Sequence, residues 1–138
     1  MRDLPKPGEV WDYPYLWARQ ARGGEAEGRK PRPVAVSVVI ERTDGRHWAV
    51  FLAITSKAPD DTRPALAVPE MERRRAGLDP DLPLWIILDE HNRDCVELSY
   101  YLEPDALRGS FSGRFLKILA GAFADAIRAG RSTNVDRT

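Results

Sequence analysis

Pro33-Val34-Ala35-Val36-Ser37-Val38-Val39-Ile40, then Thr43-Asp44-Gly45-Arg46, then His47-Trp48-Ala49-Val50-Phe51-Leu52-Ala53-Ile54-Thr55: this stretch decides the fold class. The first arm is rich in β-branched residues and reads as a strand. Asp44-Gly45 suits the backbone twist of a tight hairpin. In the second arm Trp48, Val50, Leu52 and Ile54 alternate, so they share one face of a strand. Thr55 then points to the opposite face, at the strand's end.

Working outward, residues 8–13 form a short strand, punctuated by Pro5, Pro7 and Pro14. The segment near residues 16–31 is polar and holds Gly23, Gly24 and Gly28, which predicts a long mobile loop. A loop follows at 56–64 and a short strand at 65–68. Pro69 opens a brief helix through Arg75, and Gly77 ends it. The apolar run 84–88 reads as a buried strand, and 96–100 as one more. In 114–129, Phe115, Ile118, Leu119, Ala122, Phe123, Ala126 and Ile127 recur at helical spacing. Arg114, Lys117, Asp125 and Arg128 fall on the other face. Ser112 or Ser110 caps this helix, Gly130 ends it, and 131–138 reads as a frayed tail. The expectation is one domain over 1–138. It is α+β and mostly β, a small antiparallel barrel followed by one packing helix.

Hydrophobic residues make up 43% and charged residues 30% of the 138, a mixture that supports a real core. Twenty-one basic side chains balance twenty-one acidic ones, unlike a protein that coats nucleic acid. A local basic cleft is still open to it. Arg29, Lys30 and Arg32 cluster, as do Arg73, Arg74 and Arg75, either as binding patches or as solvated faces. The chain has no apolar run near eighteen residues and no signal-peptide segment, and its single cysteine, Cys95, excludes an internal disulfide. These features favour a cytoplasmic protein. Only His47, His91 and Cys95 offer nitrogen or sulfur ligands, and they are far apart, so neither a metal nor another cofactor is expected. Gly-x-Ser-x-Gly and phosphate-loop motifs are absent. Catalysis here would rest on carboxylates, arginines and hydroxyls.

Gly24-Glu25-Ala26-Glu27-Gly28-Arg29-Lys30-Pro31-Arg32-Pro33-Val34-Ala35-Val36 resembles the MazF/PemK toxin family, in which a loop with glycine and glutamate leads through Arg-Pro into a β-branched strand. Three further segments come in that family's order. They are Pro7-Gly8-Glu9-Val10-Trp11, Leu52-Ala53-Ile54-Thr55-Ser56 and Ile86-Ile87-Leu88-Asp89-Glu90. The likeness runs from Pro7 to about Ile127. Ile87 departs from the arginine that some members carry there, and 73–82 has no clear counterpart.

The resemblance implies an SH3-like barrel of the CcdB/MazF type and a metal-independent endoribonuclease. Such an enzyme cuts single-stranded RNA through attack of its own 2′-hydroxyl, works as a homodimer and is neutralised by a cognate antitoxin. The residues it implies as catalytic are Arg32 on phosphate, Thr55 donating to a phosphate oxygen, Glu27 as base or orienter of Arg32, and Asp89 as proton acceptor. Glu25 competes with Glu27 for the same role. Arg29, Lys30 and Ser56 would contact RNA, and Trp11, Tyr13, Tyr15 and Trp17 would either stack bases or pack the core. Two other readings stay open: a non-catalytic binding module on the same barrel, and a degenerate toxin that keeps only antitoxin binding. A gyrase poison of the CcdB type would need a C-terminal Trp-Gly-Ile, which this chain lacks.

Overall fold

The computed structural model describes residues 4–25 and 30–138. The opening stretch forms the central hairpin as expected, with β2 (Arg32–Glu41) antiparallel to β3 (His47–Thr55). Gly45, at φ 83°, supplies the left-handed residue of the turn. The register shifts by one residue between Val36 and Val38, a bulge at Ser37 that swaps the inward side of β2 partway along. β1 (Glu9–Tyr13) pairs with the other edge of β2.

The far edge of β3 is divided between two partners. Trp48 to Phe51 pair with β6 (Glu90–Cys95), while Ile54 and Thr55 pair with β5 (Trp85–Ile87). β4 (Ala65–Ala67) extends β5, and β7 (Leu107–Ser110) pairs with β1. The resulting sheet has eight strands, in the order β4-β5-β3-β2-β1-β7, with β6 branching from β3. The class is α+β and mostly β. The strands do not close into a barrel, because β4 and β7 end the path without pairing to each other.

Both faces of the central strands are buried. On one face Val10, Ala35, Leu52, Ile54 and Ile86 pack against Phe115 and Leu119 of α3 (Gly113–Arg128). On the other, Trp11, Tyr13, Val34, Phe51, Ala53 and Ile87 form a second cluster. Ser112 Oγ caps α3 by accepting from Phe115 N at 3.1 Å. It also donates to Glu72 Oε2 at 2.7 Å, which ties α3 to α2 (Glu70–Arg75).

Three expectations need correction. Residues 18–22 are not loop but a short helix, α1 (Ala18–Arg22), built from good helix formers. Its start is closed by Trp17 N donating to Gln20 Oε1 at 3.1 Å. Residues 96–100 are not a strand. Val96–Leu98 is a 3-10 turn, and the strand lies earlier, in the polar sequence of β6. The tail is not frayed: β8 (Thr133–Asp136) runs parallel to β6 and buries Val135.

Leu119 is fully buried beneath the sheet. Leu119→Ala is expected to lower unfolding stability by about 3 kcal/mol. Ile118→Ala, on the half-exposed side of the same helix, should cost under about 1 kcal/mol. Urea denaturation of both variants checks the assignment of the helix face.

Candidate functional site

Val34 pairs with Ala53, so the β2–β3 register carried two residues on sets Arg32 opposite Thr55. Arg32 also faces Tyr13 on β1, and Thr55 faces Trp85 on β5. Directly opposed residues share a sheet face. This row lies at the rim of the Val34–Ala53 cluster, where burial gives way to a cleft of about 670 Å³. Trp17, Arg19, Arg32, Thr55, Lys57 and Arg63 line it. A smaller hollow on the other side of Arg32 and Thr55 takes in Ser56 and Arg108. Another joins Lys30 to Arg19, Arg32 and Trp17.

Trp17 organises the cations. The guanidinium carbons of Arg32, Arg19 and Arg63 lie 5.1, 5.3 and 5.6 Å from its ring centre. The electron-rich indole offsets part of their mutual repulsion. Burial, and then the like charge of Arg19, pull the Arg32 guanidinium below its ordinary pKa. It still remains charged at neutral pH. Among the described residues, neither Arg19, Arg32 nor Lys57 is paired with a carboxylate. Such a cluster attracts an anion, because each phosphate would relieve the repulsion among the cations.

Thr55 Oγ1 accepts from Lys57 N at 3.1 Å, which leaves its own proton to donate. Asp60 also lines the cleft. Its carboxylate accepts from Thr62 Oγ1 at 2.6 Å and Thr62 N at 3.0 Å. These bonds hold its pKa below the usual carboxylate range, so it is ionised but weakly basic.

Arg63 connects the cleft to the β5–β6 bend. Its Nε donates to Asp89 Oδ1 at 2.9 Å and its Nη2 to Glu90 Oε2 at 2.8 Å. The other oxygen of Glu90 accepts from Tyr15 Oη at 3.1 Å and from Ala18 N, in the first turn of α1, at 2.9 Å. Glu90 thereby holds α1, and Arg19 with it, against the sheet.

Among the eight expected site residues, Arg32 and Thr55 meet at the cleft, with Ser56 and Lys30 at its margins. Asp89 lies on the far side of Arg63, in a neighbouring hollow, and does not line the Arg32–Thr55 cleft. Glu25 lines a different groove, beside Ala21 and Arg22. Glu27 and Arg29 lie outside the described residues. Trp11, Tyr13 and Tyr15 are buried and pack the core, while Trp17, also largely buried, borders the cleft with its ring taken up by the three arginines. Arg19, Lys57, Asp60 and Arg63 are additions to the expected set. In Ala18-Arg19-Gln20-Ala21-Arg22 the Ala-Arg pair recurs three positions on, a helical spacing that could have pointed to Arg19. Arg63 gave no such signal, because its partners are more than two dozen positions away. No protein-family model matches the chain, and no curated protein matches it at a significant level.

Arg63→Met would leave the Glu90 carboxylate buried without its cation. The expected loss of stability is about 2 kcal/mol, between the values for an exposed and a fully buried pair. Urea denaturation reads it, and Glu90→Gln, which keeps an acceptor for Tyr15 and Ala18, should cost less.

Proposed function

We propose that the protein is a metal-independent endoribonuclease of the toxin type, cutting single-stranded RNA in the Arg32–Thr55 cleft. The observation that carries this reading is the convergence of Arg32 and Thr55 in one cleft with Arg19 and Lys57, which pair with no carboxylate among the described residues. The four sequence segments that resemble MazF/PemK toxins add to it. In the same reading the open sheet is a variant of the SH3-like barrel, and the working form is a cytoplasmic homodimer neutralised by a cognate antitoxin. An acidic, partly disordered antitoxin would compete with RNA for the same cations.

In the proposed reaction, the 2′-hydroxyl oxygen of one nucleotide forms a bond to the adjacent phosphorus and the bond to the 5′-oxygen breaks. The products are a 2′,3′-cyclic phosphate and a 5′-hydroxyl. The nucleophile belongs to the substrate, so the protein supplies charge and proton transfer. Arg32 binds the non-bridging oxygens through its planar fork, and Thr55 donates to one of them. Arg19 and Lys57 hold flanking phosphates. The 2′-hydroxyl proton passes to a carboxylate, for which Glu27 is the candidate that the resemblance supplies, and the departing 5′-oxygen takes up a proton from solvent water as its bond to phosphorus breaks. Asp60 is a poor choice because Thr62 depresses its basicity.

A second reading, RNA binding without cleavage, draws on a specific observation. Both described carboxylates nearest the cleft are committed, Asp60 to Thr62 and Asp89 to Arg63.

The test is a long single-stranded RNA incubated with the chain in excess chelator, beside Arg32→Ala and Thr55→Val. We expect discrete cuts ending in cyclic phosphate, slowed about a hundredfold or more by Arg32→Ala. RNA of several sequences that is retained on a filter yet stays intact would replace the nuclease with the binding module.

A further inference from the structure

A second groove, of about 610 Å³, runs between α1, β8 and Tyr101. Leu16, Ala18, Ala21 and Val135 give it an apolar wall. Arg137 also lines it, although the residue is only 7% exposed. A buried guanidinium needs acceptors, and Arg137 has them on one side only. Its Nη1 donates to Pro14 O at 2.6 Å and to Asn92 Oδ1 at 3.3 Å. The ring of Tyr101 stacks on it with the centroid at 4.0 Å, and the ring of Tyr13 lies at 5.5 Å. Among the described residues, its Nε and Nη2 find no hydrogen-bond acceptor.

Those two N–H groups are the side-on pair of a guanidinium. They point in parallel and match the two oxygens of one carboxylate. Leaving both unmade is costly at a buried cation, so an acceptor that reaches this edge is strongly favoured. The carboxylates already lining the groove do not serve. Asp136 is taken by Arg93 at 2.9 Å and Asn134 at 3.0 Å, and Glu25 makes no hydrogen bond to the Nε or Nη2 of Arg137.

We propose that this groove binds a small molecule with one carboxylate on an apolar body. The carboxylate sits on the Nε–Nη2 edge of Arg137 and the body lies along Leu16, Ala18, Ala21 and Val135. The volume is that of a small-molecule site. The apolar wall favours an amphiphile over a bare anion, and the neighbouring acids disfavour a doubly charged phosphate. Both nitrogens are closed off from solvent. Entry therefore requires the side chains around the guanidinium to shift, among them the Tyr101 ring stacked on its face. That ring is half-buried and belongs to a turn in which Tyr101 N and Leu102 N both donate to Ser99 Oγ at 3.1 Å.

Phenylacetate is a suitable probe, titrated calorimetrically into the full chain beside phenylacetamide and inorganic phosphate. Saturable one-to-one binding of phenylacetate is expected, with both controls at least about tenfold weaker. Ala21→Trp fills the groove without touching the guanidinium, and Arg137→Lys keeps the charge but loses the fork. Each should weaken phenylacetate about tenfold or more. If Arg137→Lys fails to fold, Ala21→Trp still answers. The proposal is overturned if phenylacetate gives no saturable binding at millimolar concentration, if phosphate binds as well, or if affinity is unchanged in Ala21→Trp. None of these outcomes bears on RNA cleavage, which belongs to the other cleft.

Discussion

Glu90 accepts hydrogen bonds from three residues in two parts of the chain: Tyr15 and Ala18 at the entry to α1, and Arg63 in the loop before β4. It stands at the start of β6, where that strand pairs with β8. A carboxylate so deeply buried is tolerable only if cation and donors surround it, so each partner is constrained by the others. The constraint reaches the cleft by two routes. Arg63 is drawn toward Trp17 from one side, and α1 carries Arg19 toward Trp17 from another. The cationic cluster is therefore held by a charge that lies outside the cleft itself.

The sheet supplies the remaining geometry. β3 is buried on both faces and paired along both edges, so it has little freedom to slide. Its last residue, Thr55, inherits that rigidity, as does Arg32 across the register. Side chains set on paired strands are better positioned than side chains on loops. Lys57 and Asp60 lie beyond the strand's end and are placed instead by local turns, through Thr55 Oγ1 and the Thr62 bonds.

The polar interior beside Glu90 follows the same logic. Asp94 accepts from Tyr13 Oη at 2.7 Å, Ser99 Oγ at 2.6 Å and Thr138 Oγ1 at 2.7 Å. Asn92 exchanges hydrogen bonds with the backbone of Leu16 in both directions, at 2.8 Å each. β6 thus carries Glu90, Asn92 and Asp94 at alternating positions, all buried and all bonded to residues 13–18, with Arg63, Ser99, Arg137 and Thr138 adding to them. Arg137, beside them, has donors to spare among the described residues, which sets its groove apart from an ordinary packing defect.

Read in order, residues 33–55 determine the central hairpin by themselves, because β-branched alternation and an Asp-Gly turn act over a few residues. The apolar stripe of α3, its Ser112 cap and the α2 turn after Pro69 are equally local, and so is the position of Thr55 at a strand end. Tertiary structure alone decided what depended on distant partners. β6 has a polar sequence, Glu90-His91-Asn92-Arg93-Asp94-Cys95, which reads as a strand only once Tyr13, Leu16 and Arg63 arrive to satisfy it. β8 needs β6 beside it, and α1 needs Glu90 under its first turn. Arg32 and Thr55 could each be picked from the sequence. Their meeting, and the gathering of Arg19 and Arg63 around Trp17, required the fold, since pairing and burial act through space and leave no local pattern in the chain.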